Sequence, residues 1–283
     1  MKMTKKYLRM SRMFVLLIFF AALLGRTCEV LILYASVLLH ECAHLSLCRK
    51  LRIPTEYMII APYGMELRLG RLTSPSEQIK ISAAGPFANL ILLLGGCLLM
   101  RMTNTRLIRF FTQSNFVLLV FNLIPCMPLD GSEILRSVIS AKFGIINSYR
   151  IIKKISAAFA VLIFLCGALY FYAKANPSLL VIAFLAAQNI LLSDRAVIRA
   201  AKEILTENIP SRTDRIVMLH LNGGKTIGTA VRYISFCYTL CIRLDNCGAQ
   251  NILKQGDIIR LAKANPSMTL YELTDYNSAK MTF

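Results

Sequence analysis

Two of the three histidines in this 283-residue chain stand in His40-Glu41-Cys42-Ala43-His44. On a helix, positions i and i+4 differ by about 40° and one turn of rise. Both imidazoles then point the same way and can grip one Zn2+. Glu41 is rotated by about 100° from its neighbour, near enough to act as general base on a water at the metal. The motif lies inside an apolar run. An ionisable side chain within a membrane span costs about 2.5 kcal/mol or more unless it is paired or functional, so three in one turn call for a cation. The competing reading is a polar helix-packing face without a metal.

A catalytic zinc wants a third protein ligand and an open position. His220, the remaining histidine, lies in a more polar C-terminal segment and suits the role poorly. The better group is Asp130, in Asn122-Leu123-Ile124-Pro125-Cys126-Met127-Pro128-Leu129-Asp130-Gly131. Two prolines break a helix there, and broken backbone at membrane depth is tolerated where it lines a cavity. The break can turn Asp130 back toward the metal; the alternative is an interfacial cap in a Pro/Gly turn. Cys237, Cys241 and Cys247 have the wrong spacing for a paired zinc ribbon. The nine cysteines form no disulfide framework, and most lie in apolar runs, where a reduced thiol behaves as a small hydrophobe.

The elements that must position these residues are apolar. The chain is 56% hydrophobic and only 17% charged, with a mean hydropathy of +0.56. That excludes disorder and argues against a wholly soluble protein. Six runs approach the roughly 20 residues of a membrane span: 7–25, 28–48, 79–100, 107–127, 155–173 and 177–193. The first has a basic start but no small-residue cleavage site, and reads as an uncleaved helix. Residues 1–192 hold 21 Lys and Arg against 7 Asp and Glu; residues 193–283 hold 12 against 8. The basicity therefore belongs to the apolar part, in clusters between its runs. This suits an anionic membrane face, and no nucleic-acid-binding motif is present. The Lys/Arg bias predicts both termini in the cytoplasm. Arg49-Lys50-Arg52 marks a membrane boundary, which places His44 roughly 7–8 Å inside the cytoplasmic face.

The expected fold class is a membrane α-helical protein of about six transmembrane helices with a small C-terminal α+β domain, divided as residues 1–200 and 201–283. Alternation in Tyr57–Ile60 and Met65–Leu69 around Pro62-Tyr63-Gly64 predicts a hairpin. It reads equally as an edge for pairing with an extended peptide or as a plain interfacial loop. In the tail, strands are expected at Arg215–Leu221, Tyr238–Leu244 and Asp257–Leu261, with a short helix at Thr226–Ile234. Asp214, Asp245 and Asp257 allow a nucleotide at the tail, against the plainer reading of acidic turn residues.

The motif HExxH in one span, followed by Asn-x-x-Pro-x-x-Pro-Leu-Asp-Gly after a later one, resembles the site-2 protease family of intramembrane zinc metalloproteases, peptidase family M50. Ser82-Ala83-Ala84-Gly85-Pro86-Phe87-Ala88-Asn89 is similar to that family's Gly-Pro-x-x-Asn segment. The layout is similar to the sporulation branch, of the stage IV sporulation protein FB type, whose tail is a CBS-type domain. The resemblance implies His40, His44 and Asp130 as ligands of one Zn2+, Glu41 as base and acid, Asn122 near the substrate or the developing oxyanion, and Asn89 at the substrate. It implies a bacterial multi-pass enzyme acting on a membrane-associated protein, for this branch a tethered pro-sigma factor. Membrane-protein inhibitors or regulators, the lipid bilayer and self-association into a homo-oligomer are the further partners expected. The sequence departs from relatives in having Cys42-Ala43 within HExxH. Two other readings compete: a metal-ion transporter using the same ligands, which predicts inverted repeats, and a relative that binds substrate without cutting it.

Overall fold

The computed structural model describes residues 8–10, 25–61, 64–69, 73–103, 105–174, 178–206, 216–222, 224–235, 237–245, 252–265, 267–270 and 272. The chain divides into two compact units, Met1–Ile134 and Leu135–Phe283.

The first unit contains a strand β1 (Leu8–Met10), helix α1 (Thr27–Lys50), strands β2 (Thr55–Ala61) and β3 (Gly64–Leu69), and helices α2 (Pro75–Met102) and α3 (Arg106–Leu123). It ends with the first turn of helix α4 (Asp130–Phe143). The buried residues of α1 are Ser36, His40, His44 and Cys48, one stripe at four-residue spacing. Leu31, Leu38 and Leu39 of the same helix are exposed. A helix in water would bury its apolar face; here the polar stripe turns inward, as it does for a helix solvated by lipid.

Helix α2 starts where its sequence dictates. Pro75 occupies the first turn, and Ser74 and Glu77 form a reciprocal capping box, with the Ser74 N–H donating to Glu77 Oε2 at 3.0 Å. Gly96 in α2 lets α3 approach closely: a Cβ there would lie 2.5 Å from Thr112 Oγ1. Asn115 of α3, fully buried, donates to Ser36 Oγ at 3.1 Å. The side chains that join α1, α2 and α3 near their middles are thus small or amide-bearing, as helix contacts in lipid favour.

The expected hairpin forms. Antiparallel β2 and β3 pair Ala61 with Gly64 and Met58 with Leu67, with an irregularity between Thr55 and Tyr57. The sequence missed β1, which pairs in parallel with β2 and gives the order β1-β2-β3. Leu8–Met10 lie at the start of the first apolar run, so that run is not a helix from its first residues; residues 11–24 lie outside the described set.

The second unit continues α4 and adds α5 (Ile145–Lys174), α6 (Ser178–Leu192) and α7 (Asp194–Thr206). Then come β4 (Ile216–Asn222), α8 (Ile227–Val231), β5 (Thr239–Asp245), β6 (Ile252–Lys254) and α9 (Gln255–Ala264). β4 and β5 are parallel across α8, and β6 pairs antiparallel to β5. The predicted strand at Asp257–Leu261 is instead part of α9, whose buried Ile258, Ile259 and Ala262 follow helical spacing. Ile227, Ile234, Leu240, Ile242, Ile258 and Leu270 form an apolar core of the ordinary kind. This domain seats on the junction of α4 and α5: Ile145 N–H donates to the Ile234 carbonyl at 2.9 Å, and Ser235 Oγ donates to the Ser140 carbonyl at 3.0 Å. Gly144 allows that contact, with φ +86° and room for no side chain against Arg232 O.

Among the described residues, three helices are long and apolar enough to cross a membrane: Thr27–Lys50, Pro75–Met102 and Ile145–Ala173. The fourth run forms the 18 residues of α3, which carries Arg106 and Arg109 near its start. The sixth forms α6, whose 15 residues span about 22 Å, short of the roughly 30 Å hydrocarbon layer.

Candidate metal centre

The fourth-residue stripe of α1 carries His40 and His44 to the same face, with their Nε2 atoms 3.1 Å apart. The third group arrives through a break in the helix. α3 stops at Leu123; Pro125 and Pro128 follow, and tight turns link Leu129 N–H to the Cys126 carbonyl at 2.9 Å. The chain doubles back so closely that a Cβ at Gly131 would lie 2.3 Å from the Leu123 carbonyl oxygen. Only glycine fits there, and its neighbour Asp130 opens α4 facing the two rings. Asp130 Oδ2 is 3.1 Å from His40 Nε2 and 3.3 Å from His44 Nε2.

Those distances suit one ion. Four ligands at the 2.0–2.1 Å typical of zinc, at tetrahedral corners, stand about 3.3 Å from one another. The second sign is Asp130 Oδ2 itself, buried without a hydrogen-bond partner; it faces the imidazoles without a hydrogen-bonding angle to either. A third is Gly85 of α2: a Cβ there would lie 2.3 Å from His44 Nε2 and 2.5 Å from His40 Nε2. A side chain at this position would crowd both nitrogens, and glycine leaves the space beside them open. His40, His44 and Asp130 are therefore a donor set of neutral imidazoles and a carboxylate that fits Zn2+.

The surroundings orient the rings. His44 Nδ1 lies 2.6 Å from the Ile81 carbonyl oxygen. A carbonyl only accepts, so Nδ1 carries the ring proton and Nε2 presents a lone pair. Pro86, one turn along, removes a rung of the α2 ladder in this stretch. Cys48, Ile53 and Ile81 pack together below it. Asn89 is fully buried, with Nδ2 2.9 Å from His40 Nδ1.

Of the residues singled out in the sequence, the structure brings together His40, His44, Asp130 and Asn89. Glu41, half-buried, is within electrostatic reach of both histidines and Asp130. Asn122, in the last turn of α3, donates to the Leu118 carbonyl at 2.9 Å. Asn89 meets a ring rather than an open surface. Ile81 and Gly85 are site residues that sequence reasoning does not single out, because a backbone carbonyl and a missing side chain leave no mark of their own. His220 lies in β4. Cys241 is buried in β5 and Cys247 lies outside the described residues. His40, His44 and Asp130 are the one cluster of three metal-binding side chains among the described residues. Of the three tail aspartates, Asp214 lies outside the described residues, Asp245 closes β5, and Asp257 sits in the first turn of α9.

The sequence profile of peptidase family M50 matches residues 94–166, a stretch that includes Asp130 but not the HExxH motif. A zinc metalloprotease of Methanocaldococcus jannaschii is 29% identical over 144 residues, 49% of this chain and 42% of that protein. A Synechocystis protein to which zinc metalloprotease activity is ascribed is 29% identical over 115 residues, 38% of this chain and 30% of its own length. The chain thus spans less than half of the curated relatives it matches. The site-2 protease of M. jannaschii has a similar fold, with a TM-score of 0.55 over 68% of this chain and 93% of that one, at 23% identity. With three apolar helices of membrane length, these likenesses mark an integral membrane protein. The resemblance read from HExxH and the Asp130 segment is met by a profile match over residues 94–166 and by the fold, so the chain is similar to peptidase family M50, the site-2 protease family.

Proposed function

We propose that the chain is an intramembrane zinc endopeptidase that hydrolyses a peptide bond of a membrane-associated protein. The observation that carries this reading is the convergence of His40 Nε2, His44 Nε2 and Asp130 Oδ2 at 3.1–3.3 Å beside Gly85. Held by those three residues, Zn2+ supplies Lewis-acid polarisation of a peptide carbonyl and makes water a better nucleophile. Glu41 takes the proton of the attacking water and hands it to the leaving amine. Asn122, where α3 breaks, steadies the substrate carbonyl as negative charge develops. A peptide bond inside a substrate helix is covered, so that helix must open locally. The hairpin supports a route: in the sheet order β1-β2-β3, β3 has a neighbour on one side only among the described strands, and an extended segment can add to such an edge.

The finer reading follows the motif resemblance. Residues 1–200 form the protease core and 201–283 a CBS-type regulatory domain, for which the parallel β4-α8-β5 unit is the support. The Lys/Arg bias supports both termini in the cytoplasm. A tethered pro-sigma factor is the proposed substrate, with membrane-protein regulators beside it.

Glu41→Gln tests the mechanism. Purified full-length variant should keep one zinc per chain while cleavage of a tethered pro-protein falls at least about 100-fold. Unchanged cleavage would remove Glu41 from the reaction, and metal flux across vesicles in place of cleavage would identify a transporter.

A further inference from the structure

The two histidines differ in how their second nitrogen is held. The Ile81 carbonyl fixes His44 with its proton on Nδ1. His40 Nδ1 instead meets the amide of Asn89, at 2.9 Å. Asn89 is 0% exposed, and its Oδ1 is buried with no hydrogen-bond partner. For His40 Nε2 to offer a lone pair alongside His44 Nε2 and Asp130 Oδ2, the ring proton must sit on Nδ1. Nδ1–H then needs an acceptor, and Nδ2 cannot be one. A half-turn of the amide about its Cβ–Cγ bond exchanges the two atoms. It gives the Nδ1 proton an acceptor and the orphaned Oδ1 a partner in one motion.

We propose that Asn89 is a positioning residue that holds His40 as its Nδ1–H tautomer by accepting from that proton. Ile81, Gly85 and Asn89 follow one another at four-residue spacing along one stripe of α2. The Ile81 carbonyl orients His44, Gly85 clears the space beside both rings, and Asn89 orients His40. A single helix that contributes no ligand sets the geometry of both imidazole ligands. This rests on the ion-binding reading of the site. It assigns Asn89 a task through His40 rather than on the substrate.

The test is zinc affinity of the full-length protein in detergent, measured by competition with a chromophoric chelator, for wild type, Asn89→Asp and Asn89→Leu. Loss of such an orienting partner typically weakens a site by about 10- to 100-fold, so Asn89→Leu should fall in that range while Asn89→Asp, an acceptor of the same size, stays within about threefold of wild type. Asn89→Leu binding as wild type does would overturn the inference. So would Asn89→Asp weakening as much as Asn89→Leu, because the amide would then act by shape or donation. If Asn89→Leu does not fold, Asn89→Asp decides alone: retained affinity supports the assignment and a tenfold loss overturns it. Wild type without measurable zinc affinity would refute the metal site itself, whereas zinc-binding wild type with an unaffected Asn89→Leu would refute this inference only.

Discussion

The α1–α2–α3 assembly and the β4-β5-β6 domain differ in the balance of polar and apolar residues that they bury. The first hides Ser36, His40, His44, Asn89, Thr112 and Asn115 and exposes Phe87, Leu94 and Leu98. The second hides Ile227, Ile234, Leu240, Ile242, Ile258 and Leu270. In the tail, removal of apolar surface from water drives packing. Between the long helices that term is weak, since lipid is as apolar as leucine, and close backbone approach and hydrogen bonds select the contacts. The polar interior needed for a metal site therefore matches how the helices already pack. In the tail's core the same side chains would be a burden.

Substitutions can separate the two regimes. Gly85→Ala has the largest expected effect: its Cβ would meet both Nε2 atoms at 2.3–2.5 Å, so zinc content should fall below detection while helical circular dichroism persists. Full zinc occupancy in that variant would contradict the close approach of α2. Ile242→Ala in the tail should lower the tail's stability by about 2–5 kcal/mol, read as its unfolding transition, and leave zinc content unchanged. Asn115→Ala removes the bond to Ser36 Oγ and should cost only about 0.6 kcal/mol in micelle unfolding, the average for hydrogen bonds between membrane helices. A cost as large as that of Ile242→Ala would show that the two interiors obey the same rules after all.

What could be read from the chain follows the same physics. His40 and His44 are four residues apart on one helix, so a local spacing suffices to place them together. Asp130 was legible because Pro125 and Pro128 force a break that returns the chain. The bond from Asn89 to His40 spans 49 residues and depends on how α1 lies along α2, which no local pattern encodes. Ile81 acts through its carbonyl and Gly85 through the absence of a side chain, so neither announces its role. Leu8–Met10 carry no strand signal of their own, because β1 is a three-residue strand defined only by its pairing with β2. Asp257–Leu261 is too short a window to separate strand from helix, and burial of adjacent Ile258 and Ile259 with Ala262 resolves it as helix.

Zinc K-edge absorption on the solubilised full-length chain examines the proposed ion site itself. It should show two imidazole nitrogens and a carboxylate oxygen at about 2.0–2.2 Å, with metal lost in Asp130→Ala. A sulfur at about 2.3 Å, or zinc unaffected by Asp130→Ala, would place the ion elsewhere in the molecule and contradict a centre built from His40, His44 and Asp130.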